Sequence, residues 1–266
     1  AGYNGGAIYS SSAININGNN DISFTNNKSS NSYGGAIYST GSLDISGNND
    51  VIFSSNSSYN SGGAIYASNS VNISNNGDVY FGSNLTQRTS YNYNTYSYGG
   101  AIYSRSNISI LGNDSVVFEK NYERYSGRLR GIYQTSGNLN LSAGEGQHIT
   151  IYDGVYSEGS GYSANFNADY EDSNGKIQKA TGDIIFSGKY AAEHLAEVKG
   201  STASSSAISN SQTSEIYKHI TLYGGTLQVV DGATLKGYGL TVAADSNAKL
   251  LLRDASMSHS GYNFNF

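Results

Sequence analysis

The stretch Gly34-Gly35-Ala36-Ile37-Tyr38, followed nineteen residues after its first glycine by Phe53-Ser54-Ser55-Asn56, decides the fold because it recurs. Gly-Gly-Ala-Ile-Tyr begins at Gly5, Gly34, Gly62 and Gly99, and Phe-x-x-Asn begins at Phe24, Phe53, Phe81 and Phe118. The interval from first glycine to Phe is 19 residues every time, whereas the repeat itself is 29, 28 and then 37 residues long. A fixed spacing inside a variable period marks a structural segment, and insertions are expected only after the Phe. Within the segment, Ile14, Leu43, Val71 and Ile108 each lie two residues before Ile16, Ile45, Ile73 and Ile110. Ile22, Val51, Val79 and Val116 likewise lie two before the phenylalanines. Such pairs have the period of a strand with one buried face.

Each repeat therefore holds three short strands. Gly18-Asn19-Asn20, Gly47-Asn48-Asn49, Asn75-Asn76-Gly77 and Gly112-Asn113-Asp114 form the corners between the second and third, because these residues adopt turn and left-handed conformations at low cost. Three strands cannot bury an apolar face within one repeat, so repeats must stack. The predicted fold is all-β: a right-handed parallel β-helix, three strands per coil, with equivalent residues about 4.8 Å apart. Composition agrees. The 266 residues include 33 Gly and 24 Tyr but no Pro, and Pro would interrupt hydrogen bonds between coils.

Other bounds follow from what is missing. Absence of Cys excludes disulfides and thiolate metal sites, and nothing in the sequence calls for a cofactor. A net charge of −5, with 13% charged residues, argues against nucleic acid or anionic lipid as partner. No stretch approaches the roughly 20 apolar residues that span a bilayer, so no membrane contact is expected of this segment. Along the chain, residues 1–152 read as coils, with Gly131-Ile132-Tyr133, Leu139, Leu141, Ile149 and Ile151 as the fifth. Residues 153–215 read as insertions that interrupt the stack, apart from a strand near 183–187 and a helical stretch from Tyr190 to Val198. Residues 216–266 alternate again and read as further coils of the same elongated domain.

The paired Gly-Gly-Ala-Ile and Phe-x-x-Asn tetrapeptides, over about residues 1–122, resemble the repeats of the polymorphic outer membrane protein family, best known among chlamydial autotransporters. The C-terminal Gly224-Gly225-Thr-Leu-Gln-Val-Val-Asp231-Gly232 looks like the generic coils of autotransporter passengers. The resemblance implies a surface-displayed passenger, retained at the bacterial outer membrane or released from it, that adheres to host cells. The chain lacks the cysteines frequent in that family.

Several positions are candidates for function. The motif residues Gly34, Gly35, Ala36, Ile37, Phe53, Asn56, Gly62, Gly63, Phe81, Asn84, Gly99, Gly100, Phe118 and Asn121 read as a structural repeat rather than an epitope, with Ile and Phe inward and Gly and Asn at corners. Recognition belongs where repeats differ. The insertion Leu85 to Tyr98 carries Tyr91, Tyr93, Tyr96 and Tyr98 among Ser, Asn and Thr, the chemistry of binding loops; the bland alternative is tyrosines that cover the next coil. The expected partner is a host cell-surface receptor or glycan, or another copy of the chain. Asp169, Glu171 and Asp172 are a weak Ca²⁺ candidate through oxygen ligands, more simply read as a solvated cluster. Lys120, Arg124, Arg128 and Arg130 could meet sulfated or sialylated glycans, and are more simply a solvated corner. Asp21, Asp50 and Asp78 share one offset and should stack at a separation near the roughly 5 Å of retaining glycosidases. The neighbours two positions on, Ser23, Ile52, Tyr80 and Val117, supply no cation, and His148, His194, His219 and His259 form no catalytic motif. The sequence thus reads as an adhesin without chemistry, with a β-helical carbohydrate-active enzyme and a purely structural stalk as alternatives.

Overall fold

The computed structural model describes residues 4–88, 97–124, 126–191, 193, 213–244 and 246–259. They form a parallel β-helix. First-row strands Ile8–Ser10, Ile37–Ser39, Ile65–Ala67 and Ile102–Ser104 pair in parallel with Ile8 on Ile37, Ile37 on Ile65 and Ile65 on Ile102. Second-row strands Ile14–Asn17, Leu43–Ser46, Val71–Ser74 and Ile108–Leu111 stack in the same register. The third row is an 8-stranded parallel sheet running from Asp21–Thr25 to Lys249–Arg253, which sets eight coils among the described residues. Registers equate repeat positions one for one, as a constant 19-residue segment requires.

The expected three strands are present, and the first four coils add a fourth of two residues: Lys28–Ser29, Ser57–Ser58, Leu85–Thr86 and Tyr122–Glu123. Two residues are too few for an apolar alternation, so this row leaves no periodic trace in the sequence. Residues 153–182, expected as one large excursion, largely rejoin the stack. Gly154–Ser157 pairs with Arg128–Gln134, and Ser163–Phe166 pairs with Leu139–Ser142. The inward residues there are Val155, Ala164 and Phe166, all fully buried, but Gly, Ser and Tyr around them mask the alternation. The true excursion is the antiparallel hairpin of Tyr170–Glu171 with Ile177–Gln178. It leaves between second and third rows, so insertions are not confined to the position after the Phe. Most of the expected helical stretch lies outside the described residues.

The core is a set of columns. Phe24, Phe53, Phe81 and Phe118 stack with ring centroids 4.9, 4.9 and 4.7 Å apart, and the aliphatic columns beside them are buried in the coils between the first and the last described. Corners are held from inside by asparagine. At the corner after Phe-x-x-Asn, the side-chain amide of Asn27 donates to Asn56 (2.9 Å), Asn56 to Asn84 (3.0 Å) and Asn84 to Asn121 (2.8 Å). Asn56, Asn84 and Asn121 also donate to a carbonyl of the preceding coil: Phe24, Phe53 and Phe81 in turn. A matching ladder, Asn19, Asn48, Asn76 and Asn113, holds the other corner. These side chains satisfy backbone groups that a sharp buried turn leaves without strand partners.

The paired glycines have separate causes. Gly62 has φ +73°, where an L side chain is strained. Gly63 has ordinary φ, but a Cβ there would lie 1.9 Å from the Gly100 carbonyl oxygen of the next coil. One glycine serves its own turn and the other serves its neighbour.

Candidate functional site

The fifth residue of the Gly-Gly-Ala-Ile-Tyr motif points away from the core and builds a second, external ladder. Tyr9, Tyr38, Tyr66, Tyr103, Tyr133 and Tyr156 stack in sequence with centroid separations from 4.6 to 5.7 Å and interplanar angles of 18° or less. Tyr217 and Tyr238 extend it with tilted rings. In the sequence the signal for this face is the place of each motif Tyr directly after an inward Ile. The middle of the seam is closed to ligands, since Tyr66, Tyr103 and Tyr133 are buried. Tyr33 and Tyr98 pack over it, Tyr98 stacking on Tyr133 at 4.2 Å, and Arg105 and Arg130 cover its faces. Burial pushes the Tyr66 phenol up to about 12, and burial with the Glu158 carboxylate raises Tyr133 as well, so these two phenols stay protonated over the physiological range.

Of the four loop tyrosines, Tyr98 thus covers the neighbouring coil, while Tyr91, Tyr93 and Tyr96 lie outside the described residues. Residues 89–96 lie in sequence between the strand Leu85–Thr86 and Gly99. The turn from Glu123 to Arg128 sits at the equivalent corner, as does the connection from Ser187 to Thr213.

Two of the four basic residues at that turn, Arg128 and Arg130, are tied into ion pairs. Arg130 is 4% exposed and donates to the fully buried Glu123 at 3.0 Å, while Glu123 also accepts the Gly99 N–H (2.7 Å) and the Ser126 hydroxyl. Burial raises the Glu123 carboxyl even so, with Arg130 opposing. Arg128 pairs with Glu215 at 3.3 Å and Lys236 approaches the same carboxylate. Arg128 and Arg130 are therefore already matched by internal acids, which removes them as a site for sulfated or sialylated glycans.

The aspartate row is present, with Asp21 opposite Asp50, and Asp21 accepts amide hydrogens from Asn20 and Asn49. Further along the row Ser115 lies 3.2 Å from His148 Nε2, and His148 is in register with Asp183. Among the described residues no hydrogen bond joins His148 to Asp183, so nothing fixes the tautomer that a Ser-His-Asp nucleophile needs. Two further titratable groups are buried. Lys218, held by Gln134 Oε1 (3.1 Å), the Glu158 carbonyl (2.6 Å) and the Ser157 hydroxyl, is lowered to about 8 by burial. Asp153 accepts from the backbone and side chain of Asn121 (3.1 and 2.6 Å) and is raised to about 7 by burial.

The acidic cluster of the hairpin is likewise spoken for. Asp172 accepts the backbone N–H groups of Asn174 and Lys176 and the side chain of Gln178, which hold its carboxyl below the usual range. Asp169 pairs with Lys179 at 2.5 Å. Among the described residues no group of acids and histidines converges as a metal centre would require. The hairpin instead walls an open groove of about 800 Å³, whose floor carries Tyr223, 44% exposed, between the turns of successive coils. Tyr223 sits in an ordinary Leu-Tyr-Gly-Gly turn and carries no signal of its own in the sequence.

Architecture and surfaces together describe an elongated parallel β-helix with a sealed aromatic seam and excursions at its corners. Residues 21–40 and 50–68 match the Chlamydia polymorphic membrane protein repeat. The chain therefore carries polymorphic membrane protein-like repeats. Each matched window runs from a third-row strand through its Asn corner into the next Gly-Gly-Ala-Ile-Tyr strand, so the repeat unit is the joint between two coils. No curated protein and no solved structure matches the chain.

Proposed function

We propose that this chain is the passenger segment of an autotransporter-like surface protein, held at the bacterial outer membrane or released from it, and that it acts as an adhesin. Its partner is a host cell-surface receptor or glycan, or a further copy of itself. The repeat type supports display at a surface, since it is that of a family of generally non-enzymatic surface proteins. The observation that carries the adhesin reading is the shared place in the strand order: residues 89–96, 124–127 and 188–212 all lie in sequence between the third-row strand of one coil and the first-row strand of the next. Variable segments that recur at one place in the coil of a rigid column are where recognition is expected, as with binding loops on other scaffolds. Among the described residues the row of carboxylates lacks a facing cation and the Ser115–His148 pair lacks an orienting acid, which disfavours the enzyme reading.

The test is saturable binding of the purified chain to cultured epithelial cells beside a variant lacking residues 89–96. The flanking strand Leu85–Thr86 and Tyr98 are kept because they belong to the stack. Binding lost with those residues, at unchanged circular dichroism, is the expected outcome. Absence of saturable binding by both proteins, without self-association in sedimentation, would leave a structural stalk.

A further inference from the structure

We propose that the groove over Tyr223 is a binding site for a neutral oligosaccharide, an inference that rests on the adhesin reading and specifies one ligand class for it. A sugar ring offers an apolar C–H face and a rim of hydroxyl groups, so its site pairs one exposed aromatic ring with several small donors and acceptors. The groove has this composition. Tyr223 stands exposed in a lining that also contains Gly and Ala, and Asn165, Asp169, Lys179 and Asn247 supply its polar groups. At about 800 Å³ it falls within the roughly 300–1,000 Å³ of small-ligand clefts.

Three further observations narrow the ligand. Its two charged lining side chains among the described residues, Asp169 and Lys179, compensate each other at 2.5 Å, so the groove has no surplus cation for a sulfate or sialate. The strand Ser163–Phe166, which supplies Asn165 to the lining, is hydrogen-bonded to neighbours on both sides, Leu139–Ser142 and Thr213–Leu222, so it offers no backbone edge to an added peptide strand. Among the described residues the hydroxyl of the lining residue Ser246 has no hydrogen-bond partner, whereas buried hydroxyls are ordinarily paired.

The test titrates the whole chain with triacetylchitotriose, cellotriose and maltotriose as neutral probes, and with 3′-sialyllactose and a heparin tetrasaccharide as anionic ones. Saturation-transfer NMR and tyrosine fluorescence follow binding; the chain has no Trp. We expect saturable binding of at least one neutral probe, weakened roughly tenfold or more by Tyr223→Ala and within about threefold of the unaltered chain in Tyr223→Phe, which keeps the ring. A matching thermal melt shows that Tyr223→Ala is folded. Binding of no neutral probe, binding of anionic probes alone, or a Tyr223→Ala variant that binds as well as the unaltered chain would overturn the site. If the chain still adheres to cells in that case, the adhesin reading stands without the groove. Oligosaccharide binding without any cell adhesion would leave the groove and remove the adhesin.

Discussion

Asp153 shows how one residue can depart from a repeat and still obey its geometry. It occupies the end of the ladder Asn27, Asn56, Asn84, Asn121, where its Oδ2 accepts from Asn121 as the preceding asparagines accept. Its Oδ1 is buried with no partner. In the rungs of Asn56, Asn84 and Asn121 that place belongs to an amide that donates to a carbonyl, so the neutral acid, with a proton to donate, suits the site better than the carboxylate. Burial raises its pKa to about 7, against hydrogen bonds from Asn121 that lower it. The folded state then binds a proton that the unfolded chain releases near its ordinary value of 3.8. Stability from this group is complete below about pH 4 and is lost as pH rises toward and through about 7. Asp153→Asn supplies the donor permanently. The expected result in urea melts is a variant more stable than the unaltered chain at pH 8 by roughly 1–4 kcal/mol, with the advantage shrinking toward pH 5. Gly63 is a second residue-scale case. Gly63→Ala places a methyl 1.9 Å from the Gly100 carbonyl oxygen and should cost on the order of 2–4 kcal/mol. Gly47→Asn, at φ +63° with open space around it, should cost less than about 1 kcal/mol by the same melts.

At the scale of the element, the corner rather than the strand carries specificity. Strands of three to five residues are held to their neighbours by a few backbone bonds, whereas the Asn84 side chain alone makes four. Its Oδ1 accepts from the backbone and side chain of Asn56, and its Nδ2 donates to Asn121 and the Phe53 carbonyl. Asn84→Ala strands those buried partners and should lower stability by about 2–5 kcal/mol; Asn27→Ala, at the half-open end of the ladder, should lower it by less. Thermal melts of the two variants decide this, and equal losses would mean that the ladder is not cooperative. The same distinction explains what the sequence disclosed. Period-two pairs such as Leu43 with Ile45, and the constant offset from Gly34 to Phe53, made coils, rows and corners legible, because burial on one face repeats in the chain. The fourth row was hidden because two residues, Ser57–Ser58 for example, carry no period. The coil containing Val155, Ala164 and Phe166 was hidden because small inward residues resemble loop composition. The groove was not legible at all: Asn165, Asp169, Tyr223 and Asn247 meet only because three successive corners and a hairpin are brought together by stacking. Arg130, read as a surface base, is buried for a related reason, since its acid Glu123 sits across a turn whose course composition does not announce.

The whole molecule is a linear array, and its stability should be distributed as one. Strand pairing joins each coil to the coil before and after it, with a few longer bridges such as Arg128 to Glu215 and Lys218 to Gln134, so stability is close to a sum of coil and interface terms rather than the property of one globular core. Burial already shows the gradient. In the first coil Ile8, Ile16, Ile22 and Phe24 are only partly buried against the core, whereas Ile45, Phe53, Ile73, Phe81, Ile110 and Phe118 in the next three coils are fully buried. Removing a side chain from the middle therefore breaks two interfaces. Phe81 stacks on Phe53 at 4.9 Å and on Phe118 at 4.7 Å, while Phe24 stacks on Phe53 alone within its column. Phe81→Ala should then cost about 3–5 kcal/mol, as for a large cavity in a core, and Phe24→Ala appreciably less. Native-state hydrogen exchange gives the independent reading, since local opening follows local stability. Backbone amides of the strands from Leu43 to Leu111 should exchange most slowly, those of Ile8–Ser10 and Ile14–Asn17 fastest. Phe81→Ala should accelerate exchange in the coils on either side of it while leaving Thr234–Val242, far along the stack, nearly unchanged. Uniform acceleration along the chain would show instead that the stack unfolds as a single cooperative unit, and that the rigidity needed to present corner segments together is a property of the whole column rather than of each joint.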